Sequence, residues 1–394
     1  MKYKIGFVGL GKLGLPCAEA IAKKGHEVRG YDIDRVQSDV VKLDSTLKES
    51  VENSDIVFVA VPTPHEKEYD GRQPSCHLEP KDFNYDTVKE VVSECDKYMD
   101  RSQILVLIST VLPGTVREWI APRVWNTRFV YNPYLIAMGT VAWDMVNPEM
   151  VMIGTFDGKA SKEAHELQLF YQTIMENNPR YVIGTWDECE CIKVFYNTFI
   201  SAKIGLVNMI QDVAEAQGNI NVDVVTDALR DSTQRIMGPS YMKAGMGDGG
   251  ACHPRDNIAL RYMSNELDLG YDLFDAVMHS RERQAENMAM KILELGSKAY
   301  FTSDTYKPKV PYVEGSYSLL VQHFYDFWDG TLCDNIEEAD VIVKVHESDD
   351  LSDVESLKES KIIFDPWRTH KSDKHKVYQY GNRRSTYDEN PFFE

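Results

Sequence analysis

KIGFVGLGKLGLPCAEAIAKKGHEVRGYDID, residues 4 to 34, reads as strand, turn, helix and second strand. The apolar run at 4 to 10 stops in G-x-G-x-x-G, formed by Gly9, Gly11 and Gly14. Residues 14 to 24 have a helical pattern, and VRGYDID at 28 to 34 is the next strand. Alone, the glycine pattern is a weak signal. Here Asp32 ends the following strand 18 residues after Gly14, where the ribose hydroxyls of a dinucleotide lie. The glycines let the backbone approach a pyrophosphate, and the helix N-terminus supplies positive potential. That context favours a dinucleotide over an empty turn. An Asp at the strand end repels a 2′-phosphate, so NAD is expected rather than NADP.

Further buried-strand runs follow at 55 to 61 (DIVFVAV), 103 to 109 (QILVLIS), 127 to 133 (TRFVYNP) and 149 to 155 (EMVMIGT), with helical stretches such as 85 to 98 and 114 to 121 between them. Apolar strands alternating with helices predict a parallel sheet covered on both faces. The first domain, residues 1 to 185, is therefore an α/β, doubly wound, Rossmann-like sheet. From Asp187 to Gln217 apolar residues recur at helical spacing without a Pro, which predicts one long helix. Its length suits burial of one face against a second subunit, so a homodimer is expected. Residues 222 to 236 and 266 to 295 are also helical in pattern, giving an all-helical central domain over 186 to 290. KAYFTSD, a helix near 314 to 328, DVIVKVHE at 340 to 347 and KIIFDPW at 361 to 367 predict a smaller C-terminal α/β domain over 291 to 394. The polar tail from about 371 is expected to be loosely ordered.

The 394 residues exceed one hydrophobic core, and 43% hydrophobic with 11% aromatic content suffices for a large interior. No window matches a membrane span and the N-terminus lacks signal-peptide order, which predicts a soluble, cytoplasmic protein. The net charge of -19 argues against nucleic-acid binding, so an anionic substrate has to be held by a few placed cations. Seven thinly spread cysteines are an odd number and predict free thiols. Cys189 and Cys191 lack a second ligand pair at zinc spacing, so no metal is expected.

The loops 59 to 65 and 108 to 115 fall at the carboxyl edge of the predicted sheet, where Pro62, Thr63 and Thr110 are either ligand contacts or ordinary turn residues. GMGDGGACHPRDN, residues 245 to 257, places four glycines within six residues ahead of Cys252, and Pro254 suits a first helical turn. A thiol at a helix N-terminus is a better nucleophile because the thiolate is favoured there. An inert buried cysteine is the commoner fate but leaves the glycines unexplained. His253 adjoins the thiol, yet neighbours in a turn point apart, which disfavours a Cys-His pair. Lys193 and Asn197, spaced i, i+4, share a helix face. They are either an oxyanion-stabilising pair or solvated surface.

Taken together, GFVGLGKLGLPCA, ISTVLPGT, the E-x-x-K-x-x-x-N of Glu190, Lys193 and Asn197, and GDGGACHPRD resemble the UDP-glucose/GDP-mannose dehydrogenase family over nearly the whole chain. The resemblance implies NAD-dependent oxidation of a nucleotide sugar at C6 to the uronate. Cys252 would carry a thiohemiacetal and then a thioester, and two NAD would be reduced per sugar. It implies that Lys193 and Asn197 stabilise the alkoxide and oxyanion, that Thr110 positions a water, and that Asp256 supports this network. Cofactor contacts would come from Gly9, Gly11, Lys12, Leu13, Gly14, Asp32, Pro62, Thr63 and Thr110. Substrate contacts would come from Tyr134, Leu135, Met138, Lys193, Asn197, Arg235, Tyr241, Lys243 and Gly249. Lys307 and Arg368 would hold the nucleotide, with Arg235 reaching a neighbouring subunit's site.

One segment departs from the family. NPYLIAMG, residues 132 to 139, stands where UDP-glucose enzymes read S-P-E-F-L-R-E-G, so Tyr134 and Met138 replace two glutamates. The second is the usual base for thioester hydrolysis, and Met138 cannot abstract a proton. Either Asp256 or another group activates the water, or the sugar differs. UDP-glucose is favoured, then a UDP-N-acetylhexosamine, then GDP-mannose. A two-electron β-hydroxyacid dehydrogenase would not need Cys252, and a non-catalytic NAD sensor would not need Cys252 together with Lys193, Asn197 and Asp256.

Overall fold

A computed structural model describes residues 2–64, 66–69, 72–247, 250 and 252–383. The chain divides into two compact units, Met1–Ala202 and Lys203–Glu394.

The first unit is built on an eight-stranded sheet: β1 (Lys4–Val8), β2 (Glu27–Tyr31), β3 (Lys42–Leu43), β4 (Ile56–Val59), β5 (Ile104–Leu107), β6 (Arg128–Tyr131), β7 (Met150–Thr155) and β8 (Arg180–Thr185). Its order is 3-2-1-4-5-6-7-8, a doubly wound arrangement whose order reverses beside β1. Every residue of β4 and β5 is buried, because helices cover both faces. On one face α1 (Gly14–Lys23) buries Gly14, Cys17, Ala18 and Ile21, the i, i+3, i+4, i+7 stripe of a core-facing helix. The other helices are α2 (Leu47–Val51), α3 (Asp86–Lys97), α4 (Val141–Val146) and α5 (Lys162–Gln172).

Three features differ from the sequence expectation. The sheet is not wholly parallel, since β6 meets β7 antiparallel at Tyr131 and Gly154. The short α4 between them packs beside α1 and does not cross back over the sheet. Residues 114 to 121 form a wide π turn over Val116–Ile120 and a tight turn over Ala121–Arg123, where Pro122 cannot continue a helix. The short β3 and the strand β8 also escaped notice.

The helical stretch runs from α6 (Trp186–Gln217) through α7 (Val222–Arg230) and α8 (Cys252–Glu266) to α9 (Leu273–Leu295). α7 stops at Arg230, short of the expected 236, where Asp231, Ser232 and Thr233 compete for backbone hydrogen bonds. α9 begins at Leu273 and not 266, because Gly270 adopts φ +75° and Asp272 caps the helix by accepting the Asp275 N–H at 2.9 Å.

The second sheet contains β9 (Lys298–Phe301), β10 (Thr331–Leu332), β11 (Val341–Val343), β12 (Ile362–Asp365) and β13 (Lys376–Gln379) in the order 10-9-11-12-13, all parallel. α10 (Tyr317–Phe327) and α11 (Ser352–Ser356) lie between strands. The expectation of loose order from 371 is corrected as far as 383. β13 pairs along β12, Tyr378 stacks on Phe364 with centroids 6.0 Å apart, and the His375 ring is buried, its Nδ1 accepting the Lys361 N–H at 3.0 Å. Residues 384–394 lie outside the described residues. All seven cysteines are free. Among the described residues no helix is long and apolar enough to cross a membrane.

Candidate active site

In the first unit the glycine turn is shaped for a ligand. A Cβ on Gly14 would sit 1.9 Å from the Gly9 carbonyl oxygen, and one on Gly9, whose φ is +89°, would sit 2.7 Å from that of Ala60. Both are therefore required by the fold. Gly11 is different: a Cβ there would meet nothing within 4 Å, so its bareness leaves an open approach to the backbone. Lys12 is exposed and Leu13 half-buried directly before α1. The Asp32 carboxylate accepts the Leu10 N–H at 2.6 Å and the Asp34 N–H at 2.9 Å, which fixes it beside the turn. An open, positively biased turn with an aligned carboxylate is what a dinucleotide requires.

The loops after β4 and β5 are tied together. Thr63 Oγ1 donates to the Thr110 carbonyl at 2.7 Å, and Ser109 Oγ donates to that of Val61 at 2.6 Å. Thr110 is half-buried and Pro62 exposed. α6 then brings three more polar groups to this unit. Glu190 is fully buried, and its two oxygens accept the Gly114 and Val116 N–H groups, each at 2.7 Å. One turn on, Lys193 is half-buried, and desolvation pushes its pKa down, so its ammonium is a weaker-held charge than a surface lysine's. Asn197 is exposed.

Burial also pushes the Glu190 carboxyl up to about 7, against the two N–H groups that favour its charge. The folded state then binds a proton more readily than the unfolded chain, so this group's contribution to stability is lost as pH rises from the ordinary carboxylate value towards 7. We expect thermal stability to fall across that window by up to about 3 kcal/mol. Glu190→Gln should flatten the slope, as thermal melts between about pH 4.5 and 8 would check.

The segment 132–139 takes an unexpected course. The Tyr134 hydroxyl lies 3.0 Å from that of Tyr171, which in turn donates to Asn132 Oδ1, while Asn132 Nδ2 donates to the Met152 carbonyl at 2.5 Å. Tyr134 is thus turned into an interior hydrogen-bonded chain, and burial pushes its phenol well up. Leu135 is half-buried and Met138 is 66% exposed.

In the second unit Cys252 is the first residue of α8 and is exposed. Pro254 occupies its first turn, and Asp256, one turn from Cys252, is held by its neighbour Arg255 at 2.9 Å. Two of the glycines ahead of the thiol, Gly245 and Gly250, are explained by aromatic rings that sequence reasoning missed. A Cβ on Gly245 would come within 2.3 Å of Trp367, and one on Gly250 within 2.7 Å of Tyr306. Both rings follow the carboxyl ends of strands, β12 and β9. Arg368 follows Trp367, adopts φ +60°, and donates to the carbonyls of Tyr380 at 3.0 Å and Ala244 at 2.6 Å. Buried Asp365 holds that turn by accepting the N–H groups of Trp367, Thr369 and His370 at 2.9, 2.7 and 2.7 Å. Lys307 is exposed on the loop after β9, and Lys243 pairs with Glu347. The second unit thus gathers the Cys252 loop, Lys243, Lys307 and Arg368 at the carboxyl end of its sheet. Arg235 and Tyr241 are exposed on the connection after α7, Tyr241 at φ +63°. Gly249 lies outside the described residues.

Two units, a dinucleotide turn on a doubly wound sheet and an exposed thiol at a helix start define a dehydrogenase-like architecture. Residues 34–175 match the NAD binding domain and residues 187–283 the central domain of the UDP-glucose/GDP-mannose dehydrogenase family. The chain belongs to that family, and NAD is the cofactor of its N-terminal domain. It is 26% identical over 309 residues to UDP-glucose 6-dehydrogenase of Rickettsia prowazekii, covering 74% of this chain and 69% of the relative. An uncharacterized protein of Methanocaldococcus jannaschii is 26% identical over 332 residues, which cover 76% of this chain but 35% of that one. The fold matches a ternary complex of GDP-mannose dehydrogenase from Pseudomonas aeruginosa with a TM-score of 0.79 at 20% identity, over 95% of this chain and 99% of that one.

Proposed function

We propose that this protein oxidises C6 of a UDP-sugar, UDP-glucose first among them, to the carboxylate in two NAD-dependent steps through a covalent bond to Cys252. The observation that carries this reading is the exposed thiol at the first residue of α8, preceded by a glycine loop, in a chain of this family. The turn at Gly9, Gly11, Lys12, Leu13 and Gly14 would hold the cofactor's pyrophosphate, with Asp32 on its ribose and Pro62, Thr63 and Thr110 beside it. NAD bound there supplies the acceptor for one hydride from each oxidation step. Between the two steps Cys252 Sγ adds to the aldehyde carbon, the carbonyl electron pair moves to oxygen, and a thiohemiacetal forms. Its oxidation leaves a thioester, and water then adds to the acyl carbon and expels the thiolate. Lys193 and Asn197 donate to the oxygen as it gains charge, and Asp256 with Thr110 orients the water. Lys307, Arg368 and Lys243 take the nucleotide's phosphates, with Arg235, Tyr241 and Gly249 completing the pocket.

A second reading, a UDP-N-acetylhexosamine as substrate, is favoured by residues 132–139, where Tyr134 is turned inward and Met138 offers no carboxylate. We further propose a cytoplasmic homodimer. α6 supports it by leaving Phe195, Phe199, Ile200, Ile204 and Val207 exposed. Incubating the purified protein and NAD with UDP-glucose, UDP-N-acetylhexosamines and GDP-mannose in turn tests the substrate. NADH formation with the highest kcat/KM on UDP-glucose is expected. NADH from none of them would overturn the assignment.

A further inference from the structure

The family roles leave one costly group unused. Glu190 is fully buried, and both its oxygens are committed to N–H groups of a single turn, Gly114 and Val116 at 2.7 Å each. That turn continues the loop of Thr110 after β5 and passes through Gly114 at φ +95°. Arg117 adds a second tie just beyond it, donating from Nε to Asp187 Oδ1 at 3.1 Å. Lys193 lies one helical turn after Glu190 and Asn197 one further, so the carboxylate joins the start of α6 to the loop that carries Thr110. The charged or titratable groups facing it are Asp187, Cys189 and Cys191 on α6, Arg117 from the π turn and Tyr131 from β6. A charge buried this deeply is unfavourable for the fold, since its desolvation outweighs its two hydrogen bonds. Expensive groups of this kind gather where geometry matters for function.

We propose that Glu190 is a positioning residue: by accepting both the Gly114 and Val116 N–H groups it locks the Thr110 loop to the helix that carries Lys193 and Asn197. This rests on the nucleotide-sugar reading above for its catalytic consequence, though not for the clamp itself. A glutamine is isosteric but offers one acceptor and one donor, so it cannot accept both N–H groups.

The test combines amide hydrogen exchange of the 108–120 segment with steady-state kinetics, in the parent and in Glu190→Gln. In the parent, protection of this segment, corrected for intrinsic exchange rates, should rise as pH falls from about 8 to 6, because the proton is held more tightly by the carboxyl buried in the closed turn than by one exposed on opening, while strands β1 and β4 stay unchanged. In Glu190→Gln the segment should exchange fast at every pH. Its kcat should fall about tenfold or more, with NAD affinity changed less than about threefold. A segment whose protection ignores both pH and the substitution overturns the proposal, as does a lost clamp with unchanged kcat. Should the variant fail to fold, the parent's pH-dependent exchange decides. If the parent turns over no nucleotide sugar, the functional reading fails separately, and the exchange data alone decide the clamp.

Discussion

Cys252→Ser should lower turnover of the nucleotide sugar by at least about a thousandfold while leaving the fold and NAD binding intact. The hydroxyl of serine is a far weaker nucleophile at neutral pH than a thiol, so the covalent step fails even though the space is filled. Cys252 is exposed at the start of α8, and substitution at such a surface position changes stability by no more than about 0.5 kcal/mol. Cys333→Ser, directly after β10 in the cluster of Ala339, Ile342 and Ile363 and away from the proposed machinery, is the matched control and should keep the parent kcat. Stopped assays of NADH and of the sugar product, alongside NAD titration, check this. Undiminished turnover in Cys252→Ser would remove the covalent mechanism.

The glycine turn should separate folding from binding. Gly14→Ala places a Cβ 1.9 Å from the Gly9 carbonyl oxygen, an atom of the backbone that cannot swing aside, so the turn must deform. We expect destabilisation of about 3 kcal/mol or more, with NAD binding lost as well. Gly11→Val meets no protein atom at its Cβ, so its melting temperature should stay within about 2 °C of the parent. It nevertheless intrudes on the face left open for the pyrophosphate, and NAD affinity should fall about a hundredfold, near 3 kcal/mol. Thermal melts paired with NAD titration of both variants distinguish the two roles. A Gly11→Val protein that binds NAD as tightly as the parent would place the cofactor elsewhere.

Much of the architecture was legible because local signals agreed. The strand run at 4 to 10, the three glycines and Asp32 each point to the same turn, and Cys252 with Pro254 marks the start of α8. Long apolar runs announced β1, β4, β5, β6 and β7. What escaped depends on contacts distant in sequence. β13 carries a polar composition because only part of it is buried, and its order comes from pairing with β12 and from Phe364 under Tyr378. The antiparallel entry of β7 follows from where α4 packs, which periodicity does not encode. Among site residues, Gly245 and Gly250 signal a close approach, but nothing local names Trp367 and Tyr306 as the rings that approach them. Glu190 stood in view as part of E-x-x-K, yet its grip on Gly114 and Val116 spans some 75 residues of chain. The inward turn of Tyr134 likewise depends on Tyr171, far along the sequence.

The central claim, a four-electron oxidation through Cys252, is tested most directly by the NADH formed per molecule of nucleotide sugar consumed. The account predicts a ratio of two with the carboxylate as the sole sugar product. A ratio of one, with an aldehyde released or an acyl group left on the thiol, would contradict it and show that residues 132–139, with Met138 in place of a carboxylate, leave hydrolysis without its base.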